Sequence, residues 1–173
     1  MQEILNALKE RRSCRKFLPQ QVSREDLAPV LEAGTYAPTG RNLQAPVIVV
    51  VQDPETISQI SRLNAAAMGA DVDPFYGAPT VLVVLADPEV RTYVHDGALV
   101  MGNLMNAAHA VGLGSCYIFR AKEVFETDEG KALLKKWGVP ENYVGIGNCI
   151  LGYPAEGGTR PVTPRKENYI IWA

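Results

Sequence analysis

From Asp96 to Val111 the chain carries no Lys, Arg or Glu, and no other stretch restricts the fold as much. Gly97, Ala98, Gly102, Ala107, Ala108 and Ala110 are mixed there with Leu99, Val100, Leu104 and Met105. The spacing predicts a helix that is apolar nearly all round. Such a helix belongs at the centre of a domain or in a subunit interface, because no face of it favours water. Gly112-Leu113-Gly114 stops it, and whatever surrounds it must supply apolar surface on several sides.

That surface comes from short apolar runs. Val47-Ile48-Val49-Val50-Val51 is continuous and β-branched, which predicts a strand buried on both faces. Thr80 to Leu85 is a second run of this kind, Ser115 to Phe119 a third, and Val144 to Gly152 a fourth in which glycines allow close approach to the backbone. Helical patterns alternate with them. A short amphipathic one covers residues 4–9. Ser23-Arg24-Glu25-Asp26 is a capping-box variant opening a helix that ends near Gly34. Asp53-Pro54 starts another reaching about Ala67, and residues 123–136 form an amphipathic surface helix. Alternating strands and helices imply a two- or three-layer α/β arrangement. No repeat or linker divides the chain, so residues 1–173 are expected to form a single domain. The last part, about residues 155–173, is a Gly/Pro/Thr-rich arm ending in Tyr169-Ile170-Ile171-Trp172. Large apolar residues beyond so many breakers need a surface to cover them, and a second copy of the chain would provide one.

Charge and special residues exclude several functions. With 17 basic and 19 acidic residues the net charge is −2, which argues against nucleic acid as a partner. Cys14, Cys116 and Cys149 are widely spaced, and with His95 and His109 they make no metal-ligand pattern. Free cysteines and a charged, helical N-terminus predict a reduced, cytoplasmic chain, and no apolar run approaches a membrane span. The phosphate-cradling and dinucleotide glycine motifs are absent. No residue constellation suggests a catalytic nucleophile, so no catalytic side chain is assigned. Chemistry, if there is any, belongs to a cofactor.

Glu10-Arg11-Arg12-Ser13-Cys14-Arg15-Lys16-Phe17 indicates where that cofactor binds. Pro19 prevents a helix from continuing through Leu18, so Arg11, Arg12, Ser13 and Arg15 lie where a helix gives way to extended chain. Forked guanidinium donors and a hydroxyl directed alternately suit an anion gripped from two sides. A second basic pair, Arg165-Lys166, lies far downstream.

Arg11-Arg12-Ser13-Cys14-Arg15-Lys16-Phe17 resembles the Arg-x-Ser-x-Arg/Lys-x-Phe element of the nitroreductase family of FMN-dependent enzymes. Ala37-Pro38-Thr39-Gly40-Arg41-Asn42-Leu43-Gln44 is similar to that family's Ala-Pro-Ser-x-x-Asn-x-Gln loop. Ala78-Pro79, Gly112-Leu113-Gly114-Ser115-Cys116, Leu151-Gly152-Tyr153-Pro154 and Pro164-Arg165-Lys166 follow in family order over essentially the whole chain.

The resemblance implies an α+β nitroreductase-like fold, with a mostly antiparallel central sheet flanked by helices, in an intertwined homodimer holding FMN at the interface. It implies that Arg11 and Arg165, with Lys166 beside it, meet the FMN phosphate through charge-assisted bonds worth roughly 1.5–3 kcal/mol each. Arg12, Ser13 and Arg15 would follow the ribityl chain and pyrimidine edge. Pro38, Thr39, Gly40, Asn42 and Gln44 would reach the same flavin from the opposite subunit, and Tyr117, Ile118 and Phe119 would line its face. Asn64 or Asp71 would read the N3/O4 edge. Where many members have a Glu-Gly pair after the third strand, this chain has Phe119-Arg120. The implied activity is hydride transfer from NADH or NADPH through flavin N5 to a small-molecule electron acceptor such as a nitroaromatic or quinone. Alternatives on the same scaffold are reductive dehalogenation or flavin degradation, for which residues 65–76 offer the one candidate lid, and a flavin-binding module without turnover.

Overall fold

Seven residues, Thr80–Ala86, form strand β2, and every one of them is buried. This is the sheet's central fact, because the two faces of β2 seed the two halves of the core. The computed structural model describes residues 2–173. Its elements in order are α1 (Gln2–Glu10), α2 (Arg24–Thr35), a 3₁₀ turn (Gly40–Asn42), β1 (Pro46–Val51), α3 (Pro54–Met68), β2, α4 (Tyr93–Ala110), β3 (Gly114–Ile118), α5 (Ala121–Glu126), α6 (Asp128–Lys136) and β4 (Val144–Gly152). The four strands run in the order β1-β2-β4-β3. Every neighbouring pair is antiparallel. Val81, Val83, Leu85 and Ile150 point to one side, against Ile60 and Leu63 of α3, Val124 and Phe125 of α5 and Leu133 and Leu134 of α6. Leu82, Val84, Cys149 and Leu151 point to the other, against Leu27 and Val30 of α2 and Val100, Met101 and Leu104 of α4. The result is three layers, α+β, with an antiparallel sheet in the middle.

Two expectations need correction. The 47–51 run is not buried on both faces: β1 is an edge strand, most of it half-buried and Val50 40% exposed. Its β-branched residues are there because β2 lies alongside, not because both faces are covered. The pattern at 123–136 is two helices. Thr127 ends α5 and caps α6, its Oγ1 accepting from the Gly130 amide at 3.0 Å. Gly130 passes so close to α5 that a Cβ there would lie 2.1 Å from the Val124 carbonyl oxygen.

The caps match the sequence. Ser23 accepts from the Asp26 amide at 3.0 Å, and Asp53 from the Thr56 amide at 2.9 Å. The helix at 96–111 begins three residues earlier, at Tyr93. Residues 65–76 are no free lid. They complete α3 to Met68, and the turn beyond is tied by Asp73, which accepts from Ser61 Oγ and the amides of Phe75 and Gly77, while Phe75 is buried. Tyr169, Ile170, Ile171 and Trp172 do not fold back onto the core, being 71–94% exposed. Among the described residues no helix is long and apolar enough to cross a membrane.

Candidate functional site

The open edge of β3 is where the basic strip lies. After Glu10 the chain leaves α1 and runs extended past β3 and the segment following β4. Ser13 pairs with Ser115 as a parallel bridge, and the Cys14 amide donates to the Ser115 carbonyl at 2.9 Å. On the strip's other side the Arg15 amide donates to the Gly158 carbonyl at 2.8 Å, and the Leu18 amide to Tyr153 at 2.9 Å. Alternation then separates the side chains: Cys14 is buried while Arg15 faces outward. Burial pushes the Cys14 thiol up from its ordinary range, and the protonated thiol donates to the Lys16 carbonyl at 3.2 Å. This packing is tight enough to require glycine. A Cβ on Gly158 would stand 2.8 Å from the Lys16 oxygen, and one on Gly114 2.8 Å from Cys14 Sγ.

Three cavities open along the strip. Arg11 and Arg12 share one of about 520 Å³ with Leu8, Val162, Pro164 and Arg165, so basic residues from opposite ends of the sequence meet there. Arg165 donates to the Thr163 carbonyl, and Arg12 Nη1 to the carbonyl of Lys9 at 2.7 Å. Arg11 Nη1 and Arg12 Nε are buried and have no partner in the protein. Buried guanidinium N–H groups left unpaired are costly, and an anion would satisfy them. A smaller chamber of about 320 Å³ is also bounded by these two residues, with His109, Ser115 and Thr159.

The third cavity, about 520 Å³, is walled by Arg15, Tyr76, Cys116, Tyr117, Ile118 and Phe119. The Arg15 guanidinium lies over the Tyr76 ring, 5.8 Å from its centre. Tyr117 lines this cavity from the strand, while its ring packs in the α2/α4 half of the core and against Gly147. Its hydroxyl donates to the Ile146 carbonyl at 2.7 Å, and burial raises its pKa. Asn64 is fully buried beneath this wall, donating Nδ2 to the Phe119 carbonyl at 2.8 Å with Oδ1 unpartnered. Asp71 is exposed and lines a separate cavity beside α3. Of the two candidates, Asn64 is the one at this wall. Arg120 adopts a left-handed φ of 81° and pairs with Glu123 at 2.7 Å, which holds the Glu123 carboxyl below its usual range.

The remaining residues singled out in the sequence stand elsewhere. Pro38, Thr39, Gly40, Asn42 and Gln44 form a loop before β1, with Thr39 and Gln44 lining a cavity against β1 rather than against the arginines. Arg41, Asn42 and Gln44 all have positive φ, between 50° and 56°. Within one protomer the loop and the basic strip are not brought together. Lys166 also stands apart, its ammonium over the Tyr169 ring and outside the arginine cavity. One contact has no local signal in the sequence: Asp96, readable there only as a helix-start acid, bonds the backbone of Gly40.

Together the strip offers unpaired cationic donors at one end and an aromatic-walled slot with one cation at the other. An elongated ligand with an anionic head and a planar body suits that order. A family model described as the nitroreductase family matches residues 8–74. A protein of Archaeoglobus fulgidus, provisionally named NADH dehydrogenase/NAD(P)H nitroreductase, is 33% identical over 162 residues, 90% of this chain and 88% of that protein. An FMN reductase (NAD(P)H) of Bacillus subtilis is 24% identical over 184 residues, 96% of this chain and 72% of the relative. Among solved structures, a nitroreductase with bound FMN from Bacteroides fragilis superposes with a TM-score of 0.90 at 29% identity, over 99% of this chain and 98% of the other. A second, from Desulfitobacterium hafniense, gives 0.89 at 26% identity over 100% and 99%.

Proposed function

This chain belongs to the nitroreductase family, and from that membership we propose that it is an FMN-dependent oxidoreductase. It takes hydride from NADH or NADPH and delivers it to a nitroaromatic, a quinone or a similar conjugated acceptor. The observation that carries this reading is the meeting of Arg11, Arg12 and Arg165 in one cavity, with Arg11 Nη1 and Arg12 Nε buried and without a protein partner. The residues therefore fit a ligand phosphate. When bound, FMN supplies the hydride-accepting and hydride-donating N5 atom.

The chain's own residues bind and orient. Arg11 and Arg165 would hold the phosphate, with Arg12 and Ser13 along the ribityl chain. Arg15 would serve the pyrimidine end, where its fixed charge offsets the negative charge gained on reduction and so favours the reduced state. Asn64, with its free Oδ1 beneath Phe119, would read the polar edge of the ring, and Tyr117, Ile118 and Phe119 would wall it. Pro38, Thr39, Gly40, Asn42 and Gln44 would complete the site from a second protomer, which is why one protomer separates them from the strip. Lys166 would supply longer-range charge beside Arg165.

The test is the absorbance spectrum of the purified protein. It should be yellow and should bleach with NADH or NADPH without oxygen. Arg11→Ala and Arg165→Ala should each weaken FMN binding roughly tenfold or more, the loss of one charge-assisted bond, with the assembly kept. A double variant that retains its flavin undiminished would show the phosphate to be elsewhere.

A further inference from the structure

Among the described residues Asp96 is the one carboxyl side chain that is buried, at 3% exposure, and no cationic side chain pairs with it. Its two oxygens are committed separately. Oδ1 accepts from the backbone amide of Gly40 at 3.0 Å, and Oδ2 from the Thr92 hydroxyl at 2.9 Å. Burying such a group is unfavourable unless its bonds are made, so a sequence that needed only a helix start would place it in water. The first turn of α4 offsets part of that cost, since Asp96 lies at the positive end of the helix.

What Asp96 holds is the loop at 38–44, fifty-six residues away in sequence. That loop has few other anchors. Thr39 Oγ1 accepts from the Gln44 amide at 3.1 Å, which ties the loop to itself, and three of its side-chain-bearing residues are held at positive φ. Left-handed residues in succession are unfavourable and persist only where the surroundings impose them. Gly40 also meets Thr92 directly: a Cβ there would lie 2.3 Å from the threonine Oγ1. Asp96, Thr92 and Gly40 thus form one seat that sets the height of the loop on α4.

We propose that Asp96 is a positioning residue for flavin binding: through the Gly40 amide it fixes the loop from which Asn42 and Gln44 reach the partner subunit's cofactor. This rests on the placement of that loop at the flavin, argued above. The carboxyl group need not touch the ligand. It makes α4, the helix most suited to an interface, and the loop a single rigid piece.

The full-length protein is compared as wild type, Asp96→Ala, Asp96→Asn and Thr92→Val. Two quantities are measured: hydrogen exchange at the Gly40 amide, which needs no flavin, and the dissociation constant for FMN. Asp96→Ala should expose the amide to exchange and weaken FMN binding roughly tenfold. Asp96→Asn retains an acceptor for Gly40 and should restore most of both, which a role in bulk stability would not produce. Thr92→Val should give a smaller change of the same kind, and it carries the test if Asp96→Ala does not fold. Unaltered Gly40 exchange and FMN affinity in the folded variants overturn the proposal, as does a lower melting temperature with FMN affinity intact. Asn42→Ala and Gln44→Ala are measured alongside. If they weaken FMN binding and the Asp96 and Thr92 variants do not, the Asp96 inference alone fails. If none of them does, the loop is not at the flavin and both readings fall.

Discussion

Gly158 and Cys149 show how single residues support the strip. Gly158 accepts from the Arg15 amide and packs against Lys16 and Cys14 with no room for a side chain. Gly158→Ala should cost about 1–3 kcal/mol, measured by denaturant unfolding, and should loosen Arg15 with it. Cys149 is fully buried, and burial pushes its thiol from 9.0 to about 12, with the Arg11 guanidinium pulling weakly the other way. A folded-state pKa above the unfolded one means that the unfolded chain loses the proton first as pH rises. Stability is therefore intact below about pH 9 and falls above it, by up to about 1.4 kcal/mol per pH unit. Cys149→Ala should make the fall between about pH 8 and pH 10 shallower by about 1 kcal/mol in urea melts. Asp26 has the opposite sign. The Tyr153 hydroxyl and then Ser23 hydrogen-bond its carboxyl and lower its pKa, so that support is present above the ordinary carboxylate range and is lost as acid protonates it. Tyr153→Phe should raise the Asp26 titration midpoint read by NMR.

At the scale of elements, local chemistry set the ends of helices and contacts set the breaks. Ser23 and Asp53 are legible as caps because the cap is made by residues adjacent in sequence. The break between α5 and α6 was not legible. Residues 123–136 keep a helical apolar spacing throughout, which masks the Thr127 cap on the Gly130 amide, and the close approach of Gly130 to the Val124 carbonyl is what lets the chain turn there. Gly130→Ala should force the two helices apart and lower stability by about 1–3 kcal/mol, whereas Ala substitution of an exposed neighbour such as Glu129 should cost far less. Strand identity was readable for the same reason as the caps, but strand placement was not. An apolar β-branched run looks alike at the centre and the edge, and β1 became an edge because β2 took the interior.

The whole molecule leaves much apolar surface uncovered in a single protomer. Ile4, Leu5 and Leu8 on α1, Val94 and Leu99 on α4, and the terminal Tyr169 to Trp172 are all exposed by 45–94%. Surface of that kind on α1, which buries nothing itself, on the outer face of α4 and at the end of the arm favours a second copy of the chain as its cover. Removal of residues 167–173 should shift the protein toward monomer in sedimentation and lower its FMN content together. A truncated chain that remains dimeric with full flavin would show that the arm does not bridge subunits.

The order of helices and strands, the basic strip and the absence of a metal-ligand pattern followed from the sequence alone, since each rests on side-chain chemistry within a few residues. The likeness to a family of flavin enzymes rested on the same short motifs. Strand direction and the meeting of Arg11 with Arg165 were expected only through that likeness, and the edge position of β1 and the Asp96 bond to Gly40 were decided only by the tertiary fold. All of these join residues distant in the chain, and neither side-chain periodicity nor local capping carries information about which distant partner will share a cavity or a hydrogen bond.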